Sequence, residues 1–151
     1  MPTPKVGQRA PDFTGVTDED IKLHLGDLVG NIVVLYFYPR ANTPGCTKEA
    51  CSFRDNMIRL VGMGVKVIGV STDTVKRQAG FKVKHNLNFP LVADADKTIV
   101  KLYGVQKAAI GIAKRVTFLI DREGIIRHVW PQVKVSGHVD QIITKIEELG
   151  L

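Results

Sequence analysis

An unbroken apolar segment, Ile32–Tyr38, constrains the fold of this chain more than any other feature of its sequence. Its residues are β-branched, aromatic or leucine, and such residues favour an extended strand. A strand without polar positions is typical of the buried strands of α/β proteins. Asn31–Pro39 is therefore predicted to be a buried strand, and its apolar run of seven residues is too short to span a bilayer.

Strand and helix patterns alternate along the rest of the chain. Further strands are predicted at Val65–Ser71, Arg115–Asp121 and Ile125–Trp130, and a tight connection joins the last two. A helix that begins near Cys46 is predicted between the first two strands, because its apolar residues share one face at a spacing of 3.6 residues. That face consists of Cys46, Ala50, Phe53, Met57, Leu60 and Val61.

Three more helices complete the predicted secondary structure. They are Val75–His85, a short one around Lys97–Tyr103, and His138–Leu149. Asp73 or Thr74 is the expected N-cap of the first of these, and Gly150 is the expected C-cap of the last. Residues 1–30 are expected to add an N-terminal hairpin. The order of elements predicts a thioredoxin-like α/β fold, a central mixed β-sheet flanked by helices, in one domain spanning residues 1–151.

The composition excludes several broad classes of protein. With 151 residues and 44% hydrophobic composition, the chain can bury the core of one ordinary domain. Its N-terminus lacks the apolar stretch of a secretory signal, so we expect a cytoplasmic protein that does not bind a membrane. The net charge of +6 raises nucleic acid as a partner, but the densest basic stretch, "VKRQAGFKVKH", contains no nucleic-acid-binding motif. We interpret that stretch as a solvated helix face.

The two cysteines, Cys46 and Cys51, stand five residues apart in "TPGCTKEAC". This C-x4-C spacing suits neither a C-x-x-C redox pair nor a closed zinc site, which needs four ligands. The histidines are scattered, so we expect no metal and no cofactor: His24, His85, His128 and His138. In the cytosol a structural disulfide is unusual, whereas a transient catalytic one is not.

Cys46 is predicted to lie at the start of a helix, where unpaired backbone N–H groups and the helix dipole stabilise a thiolate. The dipole contributes only ~0.3–1 kcal/mol, whereas lowering a thiol pKa from ~8.5 to ~6 needs roughly 3.4 kcal/mol. A fixed cation must supply the rest of this free energy. Arg115, at the start of a predicted core strand, is a candidate. The alternatives are that Cys46 is an inert core residue and Arg115 an ordinary surface arginine.

Ionisation alone makes a thiol only slightly faster as a nucleophile. The thiolate fraction at neutral pH rises at most about thirtyfold, and the accompanying loss of nucleophilicity is roughly tenfold. Rapid attack therefore needs groups that orient and polarise the electrophile. For a peroxide O–O bond, Thr43, an arginine and the backbone N–H groups of Gly45 and Cys46 would do so. Pro39 has no N–H group and would shield the pocket from water.

The segment from Pro39 to Cys46 resembles the peroxiredoxin active-site signature P-x-x-x-T-x-x-C, with Thr43 as its threonine. Glu49 and Arg115 stand where that family has a glutamate and an arginine. The stretches "APDF", "GVSTD" and "FPLVADAD" are similar to other segments of the family. The C-x4-C spacing is similar to that of the peroxiredoxin Q (bacterioferritin comigratory protein) subfamily.

The resemblance implies a thioredoxin-like enzyme that reduces hydrogen peroxide and organic hydroperoxides. It implies that Cys46 is the peroxidatic cysteine, that Cys51 is the resolving cysteine, and that the two form an intramolecular disulfide. The other implied catalytic residues are Thr43, Arg115 and Pro39, and the implied substrate-binding residues are Gly45 and Glu49. Thioredoxin or a similar dithiol is the implied reductant, and we favour a monomer over a dimer.

Two other functions would use the same cysteines. A dithiol–disulfide oxidoreductase would act on protein disulfides, although such enzymes normally keep both sulfurs in the first helical turn. A non-enzymatic redox sensor would need neither Thr43 nor Arg115. Peroxide consumption in the presence of a dithiol reductant distinguishes the three hypotheses.

Overall fold

The structure, a computed structural model, describes residues 2–107 and 110–151. Within these residues, seven strands form one mixed sheet in the order β2-β1-β5-β4-β3-β6-β7. The strands are β1 (Thr14–Thr17), β2 (Lys22–His24), β3 (Ile32–Phe37), β4 (Val65–Ser71), β5 (Leu91–Ala93), β6 (Val116–Ile120) and β7 (Ile126–Trp130). The pairs β3–β4 and β4–β5 are parallel, and the remaining pairs are antiparallel.

The helices lie on the two faces of this sheet. They are α1 (Pro44–Asp55), α2 (Met57–Gly62), α3 (Val75–His85), α4 (Thr98–Leu102) and α5 (His138–Leu149), with a short 3-10 helix at Leu25–Leu28. Apolar residues of α1, α2, α3 and α5 form a core on one face, and those of α4 and the N-terminal segment form a core on the other. No helix among the described residues has the length and apolarity needed to cross a membrane.

Strand β3 lies inside the sheet, between β4 and β6, and is buried along its whole length. Its alternate residues Val34 and Tyr36 join the core under α1 and α5, whereas Leu35 and Phe37 join the core on the opposite face. Because successive side chains of a strand point to opposite faces, both cores require apolar residues at every position. The predicted buried strand is confirmed.

Most of the predicted elements are confirmed. The mixed sheet with flanking helices and the N-terminal hairpin are present, and the bounds of β4, α3 and α5 match the prediction. Strands β3, β6 and β7 and helix α4 lie inside their predicted ranges. Thr74 is the N-cap of α3, since its side chain accepts a hydrogen bond from the N–H of Arg77, and Gly150 in the left-handed region is the C-cap of α5.

Three details of the prediction are wrong. Helix α1 begins at Pro44 rather than near Cys46, because proline suits the first helical position. The apolar face does not continue as one helix: Asn56, with ψ of 8°, separates α1 from α2, and Val61 is 63% exposed. Strand β5 was not predicted, because three residues are too few to show a period.

Candidate active site

The candidate active site lies where β3 ends and α1 begins. The N–H of Tyr38 still donates to Val70 O at 3.0 Å, and the half-buried Pro39 then ends the strand because it has no N–H group. Thr43 has an extended backbone as the N-cap of α1, and Pro44 starts the helix. The connection therefore places the N-terminus of α1 next to the carboxyl end of β3.

Cys46 lies in the first turn of α1 and is 1% exposed. The first backbone hydrogen bond of the helix runs from the N–H of Thr47 to Thr43 O at 2.9 Å. The N–H groups of Gly45 and Cys46 precede that bond, so they belong to the donors at the helix start that favour a negative charge.

Arg115 is the residue that the fold brings to the Cys46 sulfur. It directly precedes β6, whose first residue, Val116, pairs with Phe37 at the end of β3. Its guanidinium Nη2 donates to Cys46 Sγ at 3.3 Å, and Nη1 donates to Glu49 Oε1 at 2.7 Å. The cation that the thiolate was predicted to need therefore has a candidate within hydrogen-bond range.

Gly45 makes room for this guanidinium. A Cβ at position 45 would lie 3.2 Å from Nη2 of Arg115, which is tighter than an ordinary contact. The glycine before Cys46 thus lets the arginine approach the helix start closely. This is a packing role beside the predicted role in substrate binding.

Glu49 is 1% exposed and stands one helical turn after Cys46. Burial raises the pKa of Glu49 to about 7, although the charge of Arg115 and its hydrogen bond act in the opposite direction. Desolvation by itself would lower the pKa of Arg115, but Glu49 and Cys46 outweigh it and raise that pKa. The arginine is therefore a permanent cation between two acidic groups.

Thr43 does not use its hydroxyl to cap the helix. Its Oγ1 donates to Arg40 O at 2.8 Å, which occupies the only proton of the hydroxyl. The two lone pairs of Oγ1 are left as acceptors. Thr43 can therefore accept a hydrogen bond from a substrate, whereas Arg115 can only donate one.

Cys51 lies on the same helix as Cys46 and is half-buried, and both cysteines are free thiols. Five residues of an α-helix turn through about 500° and rise ~7.5 Å, which places the two Cα atoms ~8–9 Å apart. A disulfide spans at most ~7 Å between Cα atoms. In this conformation the two cysteines cannot be joined without movement of the backbone.

Sequence reasoning missed the role of Asp73, which it treated as a possible helix cap. The Asp73 carboxylate instead accepts the backbone N–H of Ala41, in the middle of the connection between β3 and α1, at 2.7 Å. A signal was available, because polar residues that directly follow a central strand, here "STD" after "VIGV", lie at the same edge of the sheet as that connection. No group of three or more potential metal ligands occurs among the described residues.

This chain matches known proteins along most of its length. Residues 6–129 match the model of the AhpC/TSA family. The Coxiella burnetii protein named peroxiredoxin bcp is 51% identical over 149 residues, which cover 94% of this chain and 98% of that protein. The structure of a cysteine-to-serine mutant of Xylella fastidiosa PrxQ matches with a TM-score of 0.91 and 30% identity, over 97% of this chain and 98% of that one.

A third relative is the bacterioferritin comigratory protein of Xanthomonas campestris, whose structures were determined for insight into its alkyl peroxide reduction activity. It matches with a TM-score of 0.86 and 31% identity, over 92% of each chain. The thioredoxin-like fold and the peroxiredoxin resemblance predicted from the sequence are both confirmed. The chain belongs to the AhpC/TSA family, as a peroxiredoxin of the Bcp or peroxiredoxin Q type, and is therefore a thiol-dependent peroxidase.

Proposed function

We propose that the Cys46 thiolate attacks the terminal oxygen of a hydroperoxide, and that Arg115 makes this attack possible. The observation that carries the proposal is the single guanidinium that contacts both Cys46 Sγ and Glu49 Oε1. Hydrogen bonds to charged groups contribute about 1.5–3 kcal/mol, which is the size of stabilisation that the helix dipole cannot supply.

The same groups would polarise the peroxide. Arg115 and the N–H groups of Gly45 and Cys46 are donors, and Thr43 Oγ1 is an acceptor whose proton is already directed to Arg40 O. A hydroperoxide has one O–H to donate and two oxygens that accept. Donors aimed at the oxygen on which charge develops are among the largest contributions to catalysis.

The proposed chemistry balances without a metal or an organic cofactor. An S–O bond forms between Cys46 and the terminal peroxide oxygen while the O–O bond breaks. The sulfur is oxidised by two electrons to a sulfenic acid, and the departing oxygen takes up a proton and leaves as water or an alcohol. The Cys51 sulfur then attacks the Cys46 sulfur, the proton of the Cys51 thiol goes to the departing hydroxyl, which leaves as water, and an intramolecular disulfide remains.

The disulfide step requires that the start of α1 unwinds. We propose that residues 46–53 lose their helical conformation after oxidation, which brings Cys51 within reach of Cys46. Local opening of one helical segment costs far less free energy than global unfolding. The unwound segment would also expose the disulfide to a reductant.

We further propose that thioredoxin or a similar dithiol supplies the two electrons that regenerate both thiols. The substrates would be hydrogen peroxide and organic hydroperoxides, in line with the alkyl peroxide reduction of the Xanthomonas relative. Since both reacting cysteines lie on one helix, the cycle needs no second subunit, and we propose a monomer. A reducing cytosol would keep both thiols available.

Peroxide consumption by the purified protein with dithiothreitol or thioredoxin tests this proposal. The wild type should consume hydrogen peroxide and an alkyl hydroperoxide catalytically, and Cys46→Ser should be inactive. Cys51→Ser should react once and accumulate a sulfenic acid. Substantial turnover by Cys46→Ser would show that the attacking thiol has been assigned wrongly.

A further inference from the structure

A buried polar network lies directly beneath the connection between β3 and α1. At its centre is Asp73, which is 7% exposed. Its Oδ2 accepts the N–H of Ala41 at 2.7 Å and the hydroxyl of Ser71 at 2.6 Å, and its Oδ1 accepts Nε of Arg77 at 2.9 Å. Three donors thus converge on one carboxylate.

The network extends to the end of β3. Gln78 is fully buried, and its Nε2 donates to Ser71 Oγ and to Val92 O, both at 2.9 Å. Its Oε1 accepts the hydroxyl of Tyr38 at 2.5 Å. The polypeptide that leads to Cys46 is therefore held at two points, by the side chain of Tyr38 and by the backbone of Ala41.

We propose that Asp73 is a positioning residue for the peroxide reaction, because it holds the backbone of Ala41 in place and through it the Thr43–Cys46 turn. The inference rests on the proposed function of Cys46. Ala41 stands two residues before Thr43, so a shift at Ala41 moves the hydroxyl and the N–H groups that would contact a peroxide. Buried hydrogen bonds of this kind fix a single loop conformation when every group is satisfied.

A side chain with two acceptor oxygens is what this position requires. Every neighbour of the Asp73 oxygens is a donor, and a carboxylate only accepts. Asparagine would keep the shape but point an NH2 group at one of those donors, so at least one hydrogen bond would be lost. Even if the NH2 group faces Arg77, the hydrogen bond from Ala41 then goes to a neutral acceptor instead of a charged one and is weaker. Asp73→Asn therefore weakens the anchor with little change of volume.

Asp73→Asn should slow the reaction of Cys46 with hydrogen peroxide by about ten- to hundredfold, the loss expected when reacting groups are displaced by roughly 1 Å. The rate is measured by stopped flow on the reduced full-length protein. Alkylation of Cys46 by iodoacetamide, in a Cys51→Ser background, should change by less than about twofold, because that reaction needs the thiolate but not the oriented peroxide site. The contrast between the two electrophiles is a readout that general destabilisation would not produce.

Asp94→Asn is the matched control. Asp94 is 2% exposed and accepts the backbone N–H groups of Ile99 and Val100 at 3.0 and 2.8 Å, at the start of α4. Its replacement removes a comparable buried carboxylate and should leave the peroxide rate unchanged in the folded protein. An equal loss of peroxide rate in Asp94→Asn would overturn the inference, as would a parallel loss of alkylation rate in Asp73→Asn.

If Asp73→Asn does not fold, Ser71→Ala provides a second test of the positioning role of Asp73. It removes one donor from Asp73 and one acceptor from Gln78, so it should slow the peroxide reaction less than Asp73→Asn but in the same direction. A normal peroxide rate in the folded variant would refute the positioning role alone. A wild-type protein that consumes no peroxide would refute the proposed function and this inference with it.

Discussion

Replacing Phe53 with alanine should make the Cys46–Cys51 disulfide harder to reduce. Phe53 belongs to α1 and is fully buried; its ring stacks on Tyr36 with centroids 4.6 Å apart and meets Phe89 edge-on at 6.1 Å. In the reduced protein this packing holds the last part of the proposed moving segment in place. If that segment unwinds in the disulfide form, Phe53 has already left the core there.

The expected shift of the reduction potential follows because the truncation removes this packing from the dithiol form only. Truncating a fully buried phenylalanine to alanine costs about 3–5 kcal/mol. For a two-electron couple about 30 mV corresponds to 1.4 kcal/mol, so destabilising the dithiol form alone should shift the reduction potential by about 65–110 mV. The shift should be towards more negative values, because the variant gains less free energy on returning to the dithiol.

The reduction potential is measured by equilibrating the protein with buffers of graded dithiothreitol ratio and counting free thiols by alkylation. Phe118→Ala is the matched control. Phe118 is also fully buried, but it lies on β6 in the opposite core, against Phe37 and Tyr103. Its truncation should destabilise both redox forms equally and leave the potential unchanged.

An unchanged potential in Phe53→Ala would show that Phe53 stays packed in the disulfide form, and the proposed unwinding would then end before residue 53. The same shift in Phe118→Ala would mean that global stability, rather than α1, controls the potential. If Phe53→Ala does not fold, Phe53→Leu should show a smaller shift with the same sign. An unshifted potential in that variant would contradict the unwinding equally.

Three further predictions concern the same site. Arg115→Met should slow peroxide attack by about ten- to hundredfold, because it removes about 1.5–3 kcal/mol of hydrogen bonding at the Cys46 sulfur; an unchanged rate would show that Arg115 does not assist the attack. Burial raises the pKa of Glu49 from 4.5 to about 7. Between these pH values the folded protein keeps a proton that the unfolded chain releases, so the free energy of unfolding should fall as pH rises through this window. Urea unfolding of the reduced protein should show a loss of about 3 kcal/mol relative to Glu49→Gln across it, and parallel pH profiles would contradict this. Amide hydrogen exchange at residues 46–53 should be faster in the disulfide form than in the reduced form, and equal protection would refute the unwinding.

The parts of the site that sequence reasoning could predict are those close to Cys46 in the chain. The apolar strand, the Thr-Pro-Gly turn and the helical stripe place Cys46 at a helix start, because strand and helix periods and capping preferences act over a few residues. Past the break at Asn56, the same periodicity still describes Met57 and Leu60, which are buried in the same core, but not Val61, which is exposed.

The long-range contacts of the site could be predicted only in part. Arg115 was a candidate because it begins a core strand, but it lies 69 residues from Cys46. Position in the chain does not distinguish it from many other lysines and arginines. Its placement depends on the antiparallel register of β6 against β3. Asp73, 32 residues from Ala41, was interpreted as a helix cap for the same reason.

By itself, then, the sequence determined the local elements: a strand buried on both faces, a turn that starts a helix near Cys46, and two cysteines too far apart on that helix to bond. Only the tertiary structure decided which cation meets the thiol, that Glu49 is buried enough to have its pKa raised to about 7, and that Asp73 holds Ala41. The physical reason is that periodicity and capping are encoded in neighbouring residues. Desolvation and ion pairing instead depend on the order and register of strands that lie far apart in the chain.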